Sequence, residues 1–209
     1  MSQANLILIG AGGHSRSCID AIEQEGRYKI AGLIGLPQEA GSKHFDYEVL
    51  ATDSRLGEIV LQYPYALITL GQVVTAELRI RLYQQACDLG FKLATVVAPT
   101  AYVSPRAIIG SGTIVMHGAI INAGAVVGNN CIINSNSLIE HDARVEDHCH
   151  ISTGAILNGN TLIGPGAFIG SGAVIKEGVS IGANSLVGMG LMVRHNVENN
   201  AKYIGSTAI

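Results

Sequence analysis

Residues 107–196 divide into consecutive groups of six: AIIGSG, TIVMHG, AIINAG, AVVGNN, CIINSN, SLIEHD, ARVEDH, CHISTG, AILNGN, TLIGPG, AFIGSG, AVIKEG, VSIGAN, SLVGMG and LMVRHN. The third residue of every group is Ile, Val or Leu, and the same spacing gives 17 aliphatic residues from Val97 to Val193. A period of six fits neither an α-helix nor an ordinary alternating strand. It is typical of a triangular prism, so the sequence predicts a left-handed parallel β-helix.

The other positions of each group fit this prism. The first is a small residue, such as Ala119 or Cys131, that is expected to point inward. Three groups close one coil, so residues 18 apart stack, and the repeat makes five to six coils with a height of roughly 27 Å. The fourth position is often Gly or Asn, which we expect to form corners with positive φ: Gly110, Asn122, Gly128, Asn134, Asn158, Gly164, Gly170, Gly182 and Gly188.

The first ninety residues follow a different pattern, in which apolar strands alternate with helices. Strands are predicted at residues 5–9, 28–33 and 66–70. An amphipathic helix is expected after the first strand, with Cys18, Ile19 and Ile22 on one side. This order favours a small parallel sheet of the Rossmann-like α/β class.

Two further helices are predicted from their capping residues. Asp53 is expected to cap a short helix that runs to Leu61. Thr75 is expected to cap a helix that runs to Leu89, with Gly90 at the position of a C-terminal cap.

A glycine-rich turn lies between the first strand and the first helix. Gly10, Gly12 and Gly13 give the pattern G-x-G-G, and Ser15 replaces the third glycine of a full dinucleotide fingerprint. Backbone N–H groups at a helix start can hold a phosphate or a nucleotide. A tight turn without any ligand remains the alternative reading.

Histidines and carboxylates cluster in one segment of the repeat, LIEHDARVEDHCHISTG. His141 occupies an outward position near a corner and is flanked by Glu140 and Asp142, so it is a candidate general base. A solvated histidine without a role is the alternative. A zinc site is disfavoured because His141, His148 and His150 fall on successive faces and do not converge. His117 and His195 lack flanking acids and are weaker candidates.

Composition narrows the class of protein. Hydrophobic residues make up 48% of the 209 residues and charged residues only 14%, which points to a core, an oligomer interface or both. A net charge of −3 gives no nucleic-acid footprint. No apolar run is long enough to span a bilayer, and the four cysteines lack metal-type spacing, so we expect no membrane insertion, no metal and a cytoplasmic location. An inert prism such as an ice-binding surface would need a regular outer array, which the mixed outward residues do not provide.

Several stretches are similar to one known family: GAGGH at 10–14, VLATD at 49–53, Leu70 and Gly71 with Arg79 downstream, APTAYVSP at 98–105, and SLIEHDARVEDHCHISTGAILNG at 137–159. They resemble the sialic-acid O-acetyltransferase-like and nucleotide-sugar N-acetyltransferase family. Two differences stand out. The stretch GLIGLPQEAG has Gly35 and Leu36 where many members carry Asp. The C-terminal residues 205–208 are GSTA, where G-x-P-A is usual.

The resemblance implies a role for several residues. His141 matches the general base, with Asp142 as the acid beside it. His150 matches the histidine near the acetyl-CoA thioester. Further matches are two expected coenzyme A contacts, Ser171 and Met189, and the expected nucleotide-sugar contacts, Gly12, Gly13, His14 and Gly71.

The resemblance also implies the activity. Residues 1–92 are expected to bind a nucleotide-linked amino sugar, and residues 93–209 are expected to bind acetyl-CoA as co-substrate. The predicted reaction is N-acetylation of a 4-amino-4,6-dideoxyhexose for bacterial surface glycans. O-acetylation of a sialic-acid-like sugar and a non-catalytic sugar-nucleotide-binding protein are the alternatives. The family implies a homotrimer with active sites between prisms, and the outward residues Ile108, Ile114, Ile120 and Val126 are expected to be buried there.

Overall fold

The computed structural model describes residues 3–205, which fold as an N-terminal sheet followed by a prism; residues 206–208 of the C-terminal GSTA lie outside the described part. The strands of the N-terminal sheet are β1 (Ala4–Ile9), β2 (Tyr28–Gly35), β3 (Lys43–His44), β4 (Tyr47–Thr52), β5 (Tyr65–Ile68) and β6 (Lys92–Leu93). Their spatial order is β3-β4-β2-β1-β5-β6. Every neighbouring pair is parallel except β3 and β4. The small α/β sheet is confirmed, with one antiparallel edge strand that the sequence did not reveal.

Three helices connect these strands: α1 (Gly13–Glu25), α2 (Leu56–Gln62) and α3 (Glu77–Asp88). The predicted side of α1 is confirmed, because Cys18, Ile19 and Ile22 are fully buried. None of the helices described within residues 3–205 has the length and apolar content needed to cross a membrane.

The predicted caps have different outcomes. Gly90 follows α3 with φ of 87°, so the predicted glycine at its C-terminal end is confirmed. The Thr75 cap is wrong by one residue: the N-cap of α3 is Ala76, which makes no side-chain cap, although Thr75 Oγ1 accepts a hydrogen bond from the Glu77 N–H at 3.2 Å. The Asp53 cap is wrong. Asp53 begins a 3₁₀ turn that precedes α2, and the N-cap of α2 is Arg55, which makes no side-chain cap. Asp53 instead lines a pocket at the edge of the sheet.

The C-terminal part is the predicted prism, with three parallel sheets that we call faces 1, 2 and 3. Face 1 contains β7 (Val96–Val97), β10 (Ile114–Val115), β13 (Ile132–Ile133), β16 (His150–Ile151), β19 (Phe168–Ile169), β22 (Leu186–Val187) and β24 (Lys202–Tyr203). Face 2 contains β8 (Tyr102–Val103), β11 (Ile120–Ile121), β14 (Leu138–Ile139), β17 (Ile156–Leu157), β20 (Val174–Ile175) and β23 (Met192–Val193). Face 3 contains β9 (Ile108–Ile109), β12 (Val126–Val127), β15 (Arg144–Val145), β18 (Leu162–Ile163) and β21 (Ser180–Ile181).

The chain passes through faces 1, 2 and 3 in turn, so we call the corner between faces 1 and 2 corner A and the corner between faces 2 and 3 corner B. Strands 18 residues apart pair in parallel, for example Ile121 with Ile139 and Ile139 with Leu157. These aliphatic residues are fully buried, and so are the small residues Ala119 and Cys131. The repeat therefore gives the parallel sheets typical of a left-handed β-helix, as predicted.

The conformation predicted for the fourth position is wrong. Positive φ occurs instead at the sixth position, as at Gly172 (66°) and Asn160 (58°). Glycine at the fourth position meets a different constraint, which is close approach between coils. A Cβ atom built on Gly170 would lie 2.5 Å from the backbone nitrogen of Met189, closer than real Cβ atoms approach such atoms.

The N-terminal part covers one face of the prism. The outward residues of face 1, Val96, Ile114 and Ile132, are fully buried and belong to the same apolar cluster as Cys18 and Ile22 of α1. The prediction that Ile114 is exposed for a trimer contact is therefore wrong, because its own chain buries it. The other three residues of that prediction remain at least partly exposed: Ile108, Ile120 and Val126.

A buried arginine connects the two parts. Arg79 of α3 is 1% exposed, and its guanidinium donates hydrogen bonds to the carbonyl oxygens of Ile68, Leu70 and Asn130. Burial lowers the pKa of Arg79 to about 10, so the side chain stays charged at neutral pH. The carbonyls of Ile68 and Leu70 lie at and just after the end of β5, and that of Asn130 belongs to the prism. The guanidinium therefore receives hydrogen-bond acceptors from both parts of the chain.

The corner geometry predicts that substitutions at two neighbouring glycines cost different amounts of stability. Gly170→Ala should lower the free energy of unfolding by about 1–3 kcal/mol, because the new methyl group overlaps the backbone of the next coil. Gly172→Asn should cost less than about 1 kcal/mol, because Asn tolerates positive φ and the site is open. Urea unfolding of both variants measures this order, and equal costs would contradict it.

Candidate active site

His141 lies at corner B, two residues after the end of β14, and its side chain is exposed to solvent. It lines an open groove of about 600 Å³ that also includes Asn158, Gly159 and Glu177. The ring occupies space that a side chain at Gly159 would fill, because a Cβ atom there would lie 2.8 Å from the imidazole. Because Gly159, one coil further along, has no side chain, it leaves room for the histidine ring.

Asp142 orients the ring of His141. Its Oδ2 atom lies 2.9 Å from His141 Nδ1, and this hydrogen bond raises the pKa of His141 above its ordinary value. In the neutral ring Nδ1 then carries the proton, and the lone pair of Nε2 is available as a base. Asp142 has φ of 60°, a conformation that most residues avoid, and Gly124 one coil earlier leaves room for its carboxylate.

Glu140 has a different role from Asp142. Its Oε2 atom accepts hydrogen bonds from the side-chain amide of Asn122 at 3.0 Å and from the backbone N–H of His141 at 3.2 Å. Glu140 therefore holds the backbone of the corner rather than the imidazole ring. Sequence spacing alone could not separate the two acids, because both are adjacent to His141.

His150 lies on face 1 under the N-terminal part and is 7% exposed. Nδ1 donates to the carbonyl oxygen of Gln72 at 2.6 Å, and Nε2 accepts from the amide of Asn134 at 3.2 Å. Burial lowers the pKa of His150 to about 4, so the ring is neutral and both nitrogens have partners. A contact from Nε2–H to a thioester would require this arrangement to change, and the role predicted for His150 stays a prediction.

The predicted nucleotide-sugar residues lie together at the start of α1. Gly12 is the N-cap and Gly13 the first residue of this helix, and open space surrounds the position of a Cβ atom at each. The ring of His14 lies 6.3 Å from that of His150, and Gly71 packs against the His14 side chain. Burial lowers the pKa of His14 to about 3, so this histidine is also neutral.

A pocket of about 220 Å³ opens beside this turn, at the carboxyl ends of β1 and β2. Parallel α/β sheets bind ligands at this edge. Its walls are mostly apolar, and it contains three ionisable side chains that sequence reasoning did not assign to a site, Glu39, Asp53 and Arg81. They come from three separate segments of the chain. The only sequence signal that could have placed them together is the alternation of strands and helices, which predicts which residues lie at the carboxyl edge of the sheet.

The predicted coenzyme A contacts lie at corner A. Ser171 is exposed, Met189 is 80% exposed, and the backbone N–H of Gly190 donates to the Ser171 carbonyl at 2.8 Å. The two residues are therefore neighbours on successive coils. Among residues 3–205, no three His, Cys, Asp or Glu side chains form a group that could hold a metal ion.

Corners A and B lie at opposite edges of face 2. One chain therefore brings His141 and Asp142 together, and separately Ser171 and Met189, but it does not bring the two pairs together. The face between them is lined by apolar outward residues: Tyr102, Ile120, Leu138, Ile156, Val174 and Met192.

Two different family models match the N-terminal part and the prism. Residues 5–85 match the PglD N-terminal domain. Residues 106–141, 124–159 and 160–195 match the bacterial transferase hexapeptide with six repeats. Among curated proteins, none matches the chain in sequence at a significant level.

Solved structures resemble the chain over nearly its whole length. A variant of perosamine N-acetyltransferase from Caulobacter crescentus, in complex with CoA and GDP-perosamine, is 30% identical, with a TM-score of 0.92 and coverage of 98% of this chain and 95% of that one. The acetyltransferase domain of PglB from Neisseria gonorrhoeae, in complex with acetyl coenzyme A, is 29% identical, with a TM-score of 0.88 and 96% coverage of both. WeeI from Acinetobacter baumannii is 22% identical, with a TM-score of 0.83 and 99% coverage of both, and shares the fold. The chain belongs to the hexapeptide-repeat family of nucleotide-sugar acetyltransferases.

Proposed function

We propose that the chain transfers the acetyl group of acetyl-CoA to the amino group of a nucleotide-linked amino sugar, such as a 4-amino-4,6-dideoxyhexose. The observation that carries this proposal is the His141–Asp142 pair in an open groove. Relatives that match nearly the whole chain bind CoA, acetyl-CoA or GDP-perosamine, which supports both substrates. Those relatives favour N-acetylation over the O-acetylation of a sialic-acid-like sugar.

In this mechanism His141 removes a proton from the attacking nitrogen. The sugar amine attacks the thioester carbonyl carbon and its proton passes to Nε2. The C–S bond then breaks, and the imidazolium returns that proton to the departing sulfur, so that coenzyme A leaves as its thiol. The imidazolium that forms is stabilised by Asp142, whose carboxylate already bonds Nδ1. Asp142 thus acts both by fixing the tautomer and by favouring the charged ring.

We assign the two substrates to different parts of the chain. Residues 1–92 would bind the sugar nucleotide, supported by the glycine turn and the pocket at the edge of the sheet. Residues 93–209 would bind acetyl-CoA along corner A, where Ser171 and Met189 are exposed. The cytoplasm remains our proposed location, since all four cysteines are free thiols.

A homotrimer would bring corner B of one chain next to corner A of another, although the two corners of a single chain lie at opposite edges of face 2. If face 2 of one protomer packs beside a neighbouring prism, corner B of one chain meets corner A of the next. The apolar outward residues of face 2 support this packing, and Tyr102 and Ile120 are 55% and 40% exposed in the single chain. Closed rotational symmetry then repeats the site at each interface.

Turnover of acetyl-CoA with a panel of UDP-, dTDP-, GDP- and CMP-linked amino sugars tests the proposed function. We expect release of free coenzyme A thiol together with a product acetylated at nitrogen. A hydroxyl sugar such as CMP-sialic acid serves as the control acceptor. Thiol release only with the hydroxyl acceptor would favour O-acetylation, and binding without turnover would favour the non-catalytic reading.

Substitution of His141 tests the base. His141→Asn should lower kcat by about 10²–10⁴-fold, because a positioned base contributes that much, while the affinity for CoA changes little. His195→Asn is the matched control, because His195 occupies the same position of its hexad three coils along. Comparable losses in both variants would contradict the assignment.

The pH dependence tests the role of Asp142. His141 works as a base only when neutral, so kcat/KM should rise with pH through its pKa, which Asp142 holds above the ordinary value. In Asp142→Asn that pKa should fall, and the acid limb should move to lower pH while the plateau drops. If the acid limb of the kcat/KM profile does not move in Asp142→Asn, a group other than His141 controls that limb.

The oligomeric state tests the role of face 2. Ile120→Lys should dissociate the trimer, because a charged side chain would have to be buried at the interface. Leu61→Lys is the control, because Leu61 is an 88% exposed apolar residue on the N-terminal part. Light scattering measures the mass of each, and an Ile120→Lys protein that stays trimeric would exclude face 2 as the interface.

A further inference from the structure

Glu39 occupies the space at the end of β2. Gly35 is the last residue of this strand, and a Cβ atom built there would lie 2.8 Å from Glu39 Oε2. The missing side chain at Gly35 therefore leaves room for a carboxylate that arrives from four residues downstream. The same built atom would lie 3.0 Å from Ala11 Cβ, so the carboxylate and the glycine turn border the same space.

The carboxylate of Glu39 is held in a fixed place. Its Oε2 atom accepts a hydrogen bond from the backbone N–H of Leu36 at 2.7 Å. Among the side-chain hydrogen bonds formed within residues 3–205, none involves the other oxygen, Oε1. Glu39 lines the pocket together with Gly10 and Gly12, so one acceptor remains for a ligand there.

The chemistry of this position selects a hydroxyl donor. An ionised carboxylate only accepts hydrogen bonds, so its partner must carry O–H or N–H groups. In nucleotide-binding α/β sheets the phosphates lie on the glycine turn and the first helix, and an acid at the end of the second strand bonds the ribose hydroxyls. Glu39 has this position relative to Gly12 and α1, although it is not a residue of β2 itself.

We propose that Glu39 binds the ribose hydroxyls of the sugar nucleotide, so that the chain prefers ribonucleotide-linked sugars to 2′-deoxynucleotide-linked ones. The proposal rests on the proposed function and narrows its substrate class, because it disfavours dTDP-linked sugars. Asp53 lines the same pocket but follows β4, one strand further from the glycine turn. It is therefore the natural comparison residue.

Calorimetric titration of the full chain tests the preference with matched pairs of probes, GDP against 2′-deoxy-GDP and UDP against 2′-deoxy-UDP. We expect the ribonucleotide of the better-binding pair to bind roughly tenfold to a hundredfold more tightly, which is typical of one hydrogen bond to a charged group. Glu39→Gln should reduce this ratio to about threefold or less, because the amide oxygen can still accept from Leu36 while the charge is lost. Asp53→Asn should keep the wild-type ratio.

Three outcomes would overturn the proposal. The first is equal affinity of the wild type for the ribonucleotide and its 2′-deoxy form. The second is an unchanged affinity ratio between these two forms in Glu39→Gln. The third is a ratio that falls in Asp53→Asn but not in Glu39→Gln. Turnover separates this failure from that of the proposed function. A protein that acetylates sugar nucleotides without a ribose preference loses only the role of Glu39, whereas one that binds no nucleotide loses both.

Discussion

Parallel pairing between successive coils is the constraint on which the rest of the structure depends. Coils that hydrogen-bond to one another lie about 4.8 Å apart, so each corner must turn tightly within that spacing. The chain meets this demand with residues of positive φ at the sixth position. At some fourth positions it also uses glycines such as Gly170, where a Cβ would overlap the backbone of the next coil. The proposed base and its carboxylate partner use the same corner, because Asp142 takes the positive-φ position and His141 the outward position before it. The proposed catalytic geometry is thus a local variation of the corner that builds the prism.

The junction of the two parts depends on buried polar groups as well as apolar packing. Arg79 brings a charge to this junction without a carboxylate and is solvated by carbonyl oxygens from both sides. The charge contributes to the low pKa values of His14 and His150, which desolvation already lowers. Two neutral histidines and a fixed cation therefore lie between the glycine turn and the prism. This arrangement ties the position of the pocket at the edge of the sheet to face 1.

The sequence predicts those features that follow from its period, and fails where a conformation depends on contacts distant in the chain. The aliphatic residues from Val97 to Val193 were predicted to fill the interior because a period of six leaves them one direction to point. The role of glycine at the fourth position was misassigned, because composition cannot separate a need for positive φ from a need for close approach. Ile114 was predicted to be outward, and it is, but only the structure reveals that α1 covers it. Glu39 was missed because it follows β2 by four residues in the sequence, and only the fold brings its carboxylate back to the end of that strand.

We propose that each active site combines corner B of one chain, which carries His141, with corner A of another, which carries Ser171 and Met189. Mixed trimers test it directly: a His141→Asn chain is co-expressed with a Ser171→Trp chain, whose bulky side chain blocks corner A. Each variant alone should be inactive. If the site is shared between chains, a random mixture should recover about one quarter of the wild-type activity, because that share of interfaces pairs an intact His141 with an intact corner A. If each chain carries its own complete site, no mixture restores a functional pair, and a preparation as inactive as its components would contradict the account.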